Sequence, residues 1–171
     1  QFGLSCTWTI IRPTNIWGPW HFKYRDQLFR TLRSGLYCHP GRQACIKSYG
    51  YVGNVVHQIL RILDSPPERV HARTLYVGDP PLNLLDWVNG FSRALAGRNV
   101  RIVPRWILRT MALMGDAISR VTGRRFLITS SRYRSMIEDY ITPMDETFEV
   151  LGPPRYSMEE GISQTLEWLT K

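Results

Sequence analysis

Two short segments carry residue types that could do chemistry. The first is Thr9-Ile10-Ile11-Arg12-Pro13-Thr14-Asn15-Ile16-Trp17-Gly18-Pro19. A core-type strand here runs into Arg12-Pro13. Pro13 removes a backbone donor and pushes Arg12 toward extended geometry. The stretch Thr14–Trp17 is therefore expected to leave the sheet at the C-terminal end of a strand, where open α/β sheets bind ligands. Asn15 would offer both a donor and an acceptor there. Its ordinary alternative is a strand-ending turn in which Asn15 bonds its own backbone. The second segment is Lys47-Ser48-Tyr49-Gly50-Tyr51-Val52-Gly53-Asn54-Val55-Val56. It reads as a short strand that delivers a cation and two phenols to the start of a helix. Lys47, beside Arg42, could meet a phosphate as a point charge.

These segments need a scaffold, and hydrophobic periodicity supplies one. Strands are expected at Thr7–Ile11, Ile46–Val52 and Thr74–Val77, with a weaker one at Val100–Val103. Helices are expected at Phe22–Ser34, Asn54–Leu63, Leu84–Ala96, Pro104–Thr122 and Met158–Leu169. Val52, Val56, Ile59 and Leu63 define one apolar face of the second. Leu84, Val88, Phe91 and Leu95 define that of the third, with Asn83 as N-cap and Gly97 past its end. Ile162, Leu166 and Leu169 form the buried stripe of the last helix. It opens on Ser157-Met158-Glu159-Glu160, a capping-box sequence. Strands alternating with helices make an α/β architecture.

The fourth helix sets Arg105, Arg109 and Arg120 on one face and Trp106, Met114, Ala117, Ile118 and Val121 on the other. The ordinary reading is a surface helix with its polar face in water. A basic amphipathic helix can instead lie on an anionic membrane.

Composition narrows the function classes. The chain has 171 residues, 43% hydrophobic and 21% charged, with a formal net charge of +8. That mix is globular, and no apolar run approaches the ~20 residues of a membrane span. The positive side comprises 19 Arg and 3 Lys. These charges are spread along the chain and match no nucleic-acid-binding motif. Cys6, Cys38 and Cys45 form no CxxC, and the four histidines are scattered, so no metal site is expected. Reduced thiols suit a cytoplasmic protein.

In order along the chain, four stretches resemble the NAD-dependent epimerase/dehydratase family of extended short-chain dehydrogenases/reductases. Arg12 to Pro19 matches the family's Arg-Pro-x-Asn-x-Tyr-Gly-Pro, with Trp17 in the Tyr place. Lys47 to Val55 matches Arg-Asp-Phe-x-Tyr-Val-Asp-Asp-Val, with Gly53-Asn54 in place of Asp-Asp. Leu75-Tyr76-Val77-Gly78 matches a later strand. The closing pattern is matched by Leu151-Gly152-Pro153-Pro154, Glu159-Glu160-Gly161, Thr165 and Trp168. The resemblance implies the C-terminal portion of a Rossmann-type NAD-binding sheet joined to the smaller helical substrate-binding lobe. It places Pro13 and Ile16 near the nicotinamide of NAD or NADP. It places Asn15, Trp17, Lys47, Tyr49 and Arg132 against the substrate, a nucleotide sugar. Lys47 and Arg132 would stand on the diphosphate side. The apolar stretch Thr110–Arg134 is more like the hydroxysteroid-dehydrogenase-like branch, which would oxidise a sterol instead. Thr142–Asp145 does not reproduce the family's Asp-x-Ser-Lys.

Two family signatures have no counterpart in these residues, the GxxGxxG dinucleotide turn and the Tyr-x-x-x-Lys acid–base pair. Both precede the Arg-Pro strand in the family. The expectation is therefore residues 1–171 as the C-terminal half of a larger enzyme. This chain would be inactive alone and hold no catalytic residue. Its partner would be a small-molecule substrate, not nucleic acid or membrane, and the whole enzyme would be a homodimer.

Overall fold

Short strands form along the chain, and six of them pair in parallel with strands distant in sequence. A computed structural model of the chain describes residues 6–123, 126 and 128–171. Its elements begin with β1 (Thr9–Pro13), β2 (Asn15–Trp17), a π-helical turn (Tyr24–Phe29) and α1 (Arg30–Arg33). There follow β3 (Cys38–Pro40), β4 (Ile46–Lys47), β5 (Tyr49–Tyr51), α2 (Val52–Leu63) and α3 (Pro67–Val70). The middle holds β6 (Arg73–Val77), β7 (Leu82–Asn83), α4 (Leu84–Ala96), β8 (Arg101–Val103) and α5 (Arg105–Thr122). The chain closes with α6 (Ser130–Ser135), α7 (Asp145–Leu151) and α8 (Met158–Thr170). It divides into two compact units. One comprises residues 1–21, 48–82 and 141–171, the other residues 22–47 and 83–140.

In the first unit β1 runs parallel to β6, with Thr9 opposite Arg73 and Pro13 opposite Val77. β2 runs parallel to β5, with Asn15 opposite Tyr49 and Trp17 opposite Tyr51. The core gathers Val55 and Ile62 of α2, Leu75 and Val77 of β6, and Val150 and Leu151 of α7. At the edges of this core, Thr147 Oγ1 donates to the Tyr76 carbonyl at 2.6 Å, and Arg69 donates to the Val150 carbonyl at 2.8 Å.

In the second unit β3 pairs parallel with β8. Its aromatic core packs Phe29 against Phe91 in a tilted pair with centroids 4.7 Å apart, and Trp87 edge-on to Phe91 at 5.2 Å. The helix α4 has the expected bounds. Asn83 accepts from Leu85 N at 3.1 Å as its N-cap, and Gly97 closes it with φ at 67°. The capping box of α8 is also present: Glu160 N donates to Ser157 Oγ, and Ser157 N donates to the Glu160 carboxylate.

Several expectations shift. The first strand lies two residues later than Thr7–Ile11. The strand expected over Ile46–Val52 breaks at Ser48, whose hydroxyl accepts from Thr142 N at 2.7 Å. Residues Phe22–Ser34 do coil, but through a π-helical turn. The largest correction concerns α2. Val56 and Leu63 of its expected buried face are exposed, whereas Asn54, Val55, Gln58 and Ile62 are buried. Asn54 and Gln58 are drawn inward because their amides bond backbone across the core. Of the apolar stretch Thr110–Arg134, residues 124, 125 and 127 lie outside the described residues.

Candidate functional site

In the first unit the candidate residues sit where the chain changes partners. Pro13, opposite Val77, is the last residue of β1, and its missing N–H is on the side away from β6. Thr14 N donates to the Val77 carbonyl at 3.0 Å, and the next residue begins the ladder with β5. The expectation that Thr14–Trp17 leaves the sheet is thus corrected: Asn15–Trp17 leaves β6 and joins β5. The jog needs space. A Cβ on Gly78 would collide with Thr14 Oγ1, and one on Gly50 would lie 2.9 Å from Gly78 Cα and 3.0 Å from Thr14 Oγ1. Two glycines therefore let three backbones approach at the C-terminal end of the parallel pair.

Pro13 and Asn15 are exposed at this end, Ile16 and Tyr49 are half-buried, and Asn15 and Tyr49 are register partners. Trp17 points the other way. It is 1% exposed, its ring centroid lies 5.0 Å from that of Tyr51, and its ring lies against Gly161 of α8. It is a core side chain and offers a ligand no surface.

A buried polar network that spacing did not reveal braces this end. Asp79 accepts from Tyr51 N at 2.6 Å and from Asn54 Nδ2 at 2.7 Å. Asp79 N donates to the Tyr49 carbonyl at 2.9 Å. Asn54 also bonds Tyr156 reciprocally, donating to its carbonyl and accepting from its N–H, both at 2.8 Å. Gln58 grips Gly78 the same way, again with both bonds at 2.8 Å. Burial pushes the Asp79 carboxyl up to about 6, although its two donors favour the charged form. The signal in the sequence was Gly78-Asp79-Pro80-Pro81 directly after a strand, a turn whose polar member must find partners.

In the second unit Lys47 ends β4. It is 6% exposed, and its Nζ donates to the Glu138 carbonyl at 2.5 Å. Among the described residues no carboxylate lies within ion-pair distance of it. The strand is held in place by Ile46 N on the Asp139 carboxylate at 2.8 Å and Tyr140 N on the Ile46 carbonyl at 2.9 Å. Cys45 Sγ shares the Glu138 carbonyl at 3.3 Å, and burial raises its thiol pKa. Arg132 lies on α6, on the same 129–140 segment, exposed and donating to Gln27 Oε1 at 2.8 Å. The structure therefore brings Lys47 onto the segment that carries Arg132. Arg42 is exposed in the loop after β3.

Among the described residues no three His, Cys, Asp or Glu side chains gather as a metal site, and no helix is long and apolar enough to cross a membrane.

No family model matches the chain. A curated relative from Escherichia coli O157:H7, N-acetyl-alpha-D-glucosaminyl-diphospho-ditrans,octacis-undecaprenol 4-epimerase, is 26% identical over 168 residues. The match covers 94% of this chain and 48% of the relative. A human epimerase family protein solved with NADPH superposes with a TM-score of 0.67 at 14% identity, over 96% of this chain and 50% of that one. The chain shares the fold of this epimerase family protein. A Bacillus cereus UDP-glucuronic acid 4-epimerase, solved with UDP-glucuronic acid and NAD, superposes at 0.60 with 12% identity. It covers 95% of this chain and 45% of its own. The chain thus spans about half the length of the epimerase/dehydratase relatives it matches, as a Rossmann-like α/β portion of that fold.

Proposed function

We propose that this chain is the C-terminal, substrate-side half of an NAD(P)-dependent epimerase/dehydratase acting on a sugar diphosphate, first of all a nucleotide sugar. The observation that carries this reading is Lys47. A cation that is 6% exposed and bonded to one backbone carbonyl is costly to bury. A diphosphate would complete it. Arg132, on the segment that Lys47 binds, would supply a planar fork for the same anion. A sterol substrate carries no anion for Lys47, which favours the sugar branch over the hydroxysteroid branch.

The cofactor end of the reading rests on the first unit. Exposed Pro13 has no N–H to leave unsatisfied, and half-buried Ile16 follows it at the C-terminal end of the parallel strands. That apolar ledge suits the face of a nicotinamide ring, with Asn15 and Tyr49 as hydrogen-bonding groups toward a sugar. When bound, NAD(P) would accept and return hydride. Pro13 and Ile16 would orient the ring, and Asn15 and Tyr49 would orient hydroxyls. These residues contain no Tyr-x-x-x-Lys pair to move the hydroxyl proton, so the 171-residue polypeptide alone is expected to show no turnover with NAD and UDP-sugars.

A second sugar carrier has a specific observation behind it: the Escherichia coli relative's name specifies a sugar on diphospho-undecaprenol. Both carriers present a sugar diphosphate. The test is calorimetric titration of the protein with UDP-glucose, UDP-glucuronic acid and a short polyprenyl-diphospho-sugar. Lys47→Met and Arg132→Ala should each weaken binding of the preferred ligand by about tenfold or more, the worth of a charged hydrogen bond. Unchanged affinity in both variants would overturn the assignment. The ligand that binds tighter names the carrier.

A further inference from the structure

Globular proteins seat a surface helix by its large apolar residues and leave the polar face in water. α5 is seated the other way round. Its buried stripe is Leu108, Ala112 and Gly115, at i, i+4, i+7 spacing. Gly115 lies so close under the returning chain that a Cβ would collide with the Ile128 carbonyl oxygen and crowd the Phe126 ring. Asp116, beside it, is turned to the same return and accepts from Ser130 N at 3.2 and 3.3 Å. The helix is therefore fixed in rotation by its small side. Its large residues face outward: Trp106 is 69% exposed, Leu113 57%, Met114 64% and Val121 87%, joined by Met111 and Ile118.

At 100° per residue these six side chains form one continuous face along the 18 residues of the helix, and Arg109 and Arg120 line one border of it. No acidic residue falls within that face. The helix carries Arg105, Arg109 and Arg120 against Asp116 alone, and Asp116 is engaged with Ser130. A broad apolar face containing Trp, bordered by Arg and too short of apolar length to span, has the character of helices that lie in the headgroup region of a bilayer. The ordinary expectation, an apolar face turned inward, is corrected by this geometry.

We propose that the outward face of α5 docks the protein on an anionic membrane surface. The arginine border decides between lipid and a second copy of the chain. Anionic headgroups attract it, whereas an antiparallel pair of copies would set the borders of like charge against each other. The inference rests on α5 alone and is independent of the reading of Lys47 and Arg132.

Flotation of the purified protein with phosphatidylcholine vesicles, with and without phosphatidylglycerol, tests it. Binding is expected to the anionic vesicles and to fall with salt. Arg109→Gln with Arg120→Gln should weaken it by roughly thirtyfold, about fivefold for each arginine at the membrane surface. Leu113→Glu with Val121→Glu should abolish it. Both pairs lie on exposed positions, and far-UV circular dichroism of each variant checks that it remains folded. Absence of flotation from anionic vesicles would overturn the proposal. So would flotation that survives the Leu113/Val121 substitutions. A dimer in light scattering that these substitutions dissociate, without vesicle binding, would assign the face to a second copy instead.

Discussion

Asn54 Nδ2 donates to the Asp79 carboxylate at 2.7 Å, and the same amide group holds Tyr156 through both its atoms. One buried side chain of α2 thereby joins the turn after β6 to the segment leading into α8. The family pattern has an acid where Asn54 stands. Here the acid is Asp79, and an amide is the partner that can donate to it.

Asp79 makes stability depend on pH. Its folded pKa is raised from 3.8 to about 6, chiefly by burial. The folded state therefore holds a proton between about pH 4 and 6 that the unfolded chain has released. Stability is greatest below pH 4 as far as this group is concerned. It falls as pH rises through about 6, by about 3 kcal/mol in total. Urea unfolding midpoints measured from pH 4 to 7.5 should show the decline, and Asp79→Asn should flatten it. An unchanged slope in the variant would assign the dependence to other groups.

Gln58 satisfies both the N–H and the carbonyl of Gly78 from inside the core. Gln58→Leu keeps the volume and leaves two buried backbone groups without these bonds. A loss of about 3 kcal/mol is expected, read as a lower denaturation midpoint at unchanged slope. A neutral result would mean that water replaces the amide.

Lys47 should behave oppositely for stability and for binding. Replacing the buried ammonium with an apolar side chain of similar length removes its desolvation cost, while the Glu138 carbonyl keeps its bond from Cys45 Sγ. Lys47→Met is therefore expected to keep or raise the melting temperature while losing the sugar diphosphate. A drop in Tm of several degrees would show that the bond to the Glu138 carbonyl is itself structural.

Part of this fold is legible in the sequence alone. α4 announced itself through Asn83, Gly97 and the spacing of Leu84, Val88 and Phe91, because local caps and an unbroken period agreed. The capping box of α8 was equally plain. At α2 periodicity fails for a physical reason: it assigns polar residues to water, but Asn54 and Gln58 are buried to satisfy backbone. Its expected apolar face, with Val56 and Leu63, is outside instead. α5 lies where periodicity puts it, within one residue, but its apolar face is turned outward because the side that packs is Leu108, Ala112 and Gly115. β2 and β3 are three-residue strands held by partners distant in sequence, and no local pattern marks them. At the site, Asn15, Tyr49 and Lys47 could be picked out from strand ends and residue type, whereas Asp79 required knowing where the turn folds.

Trp17 and Gly161 supply the last test. Gly161 lies inside α8, where alanine would ordinarily gain about 1 kcal/mol. Its position forbids that gain. A Cβ there would lie 2.7 Å from the Trp17 ring and 2.9 Å from the Tyr51 ring. Both rings are buried, and Tyr51 is further fixed by its hydroxyl donating to Gln164 Oε1 at 2.5 Å. Gly161→Ala is thus expected to destabilise by about 1–3 kcal/mol, the usual range for overpacking. Trp17→Phe alone should also destabilise, by leaving a cavity. Together the two should cost less than the sum of the singles, since the smaller ring makes room for the added methyl. A double-mutant cycle from chemical denaturation measures that coupling. Strict additivity, or a stabilising Gly161→Ala, would show that the Trp17 ring is free to move aside and is not what excludes a side chain from position 161.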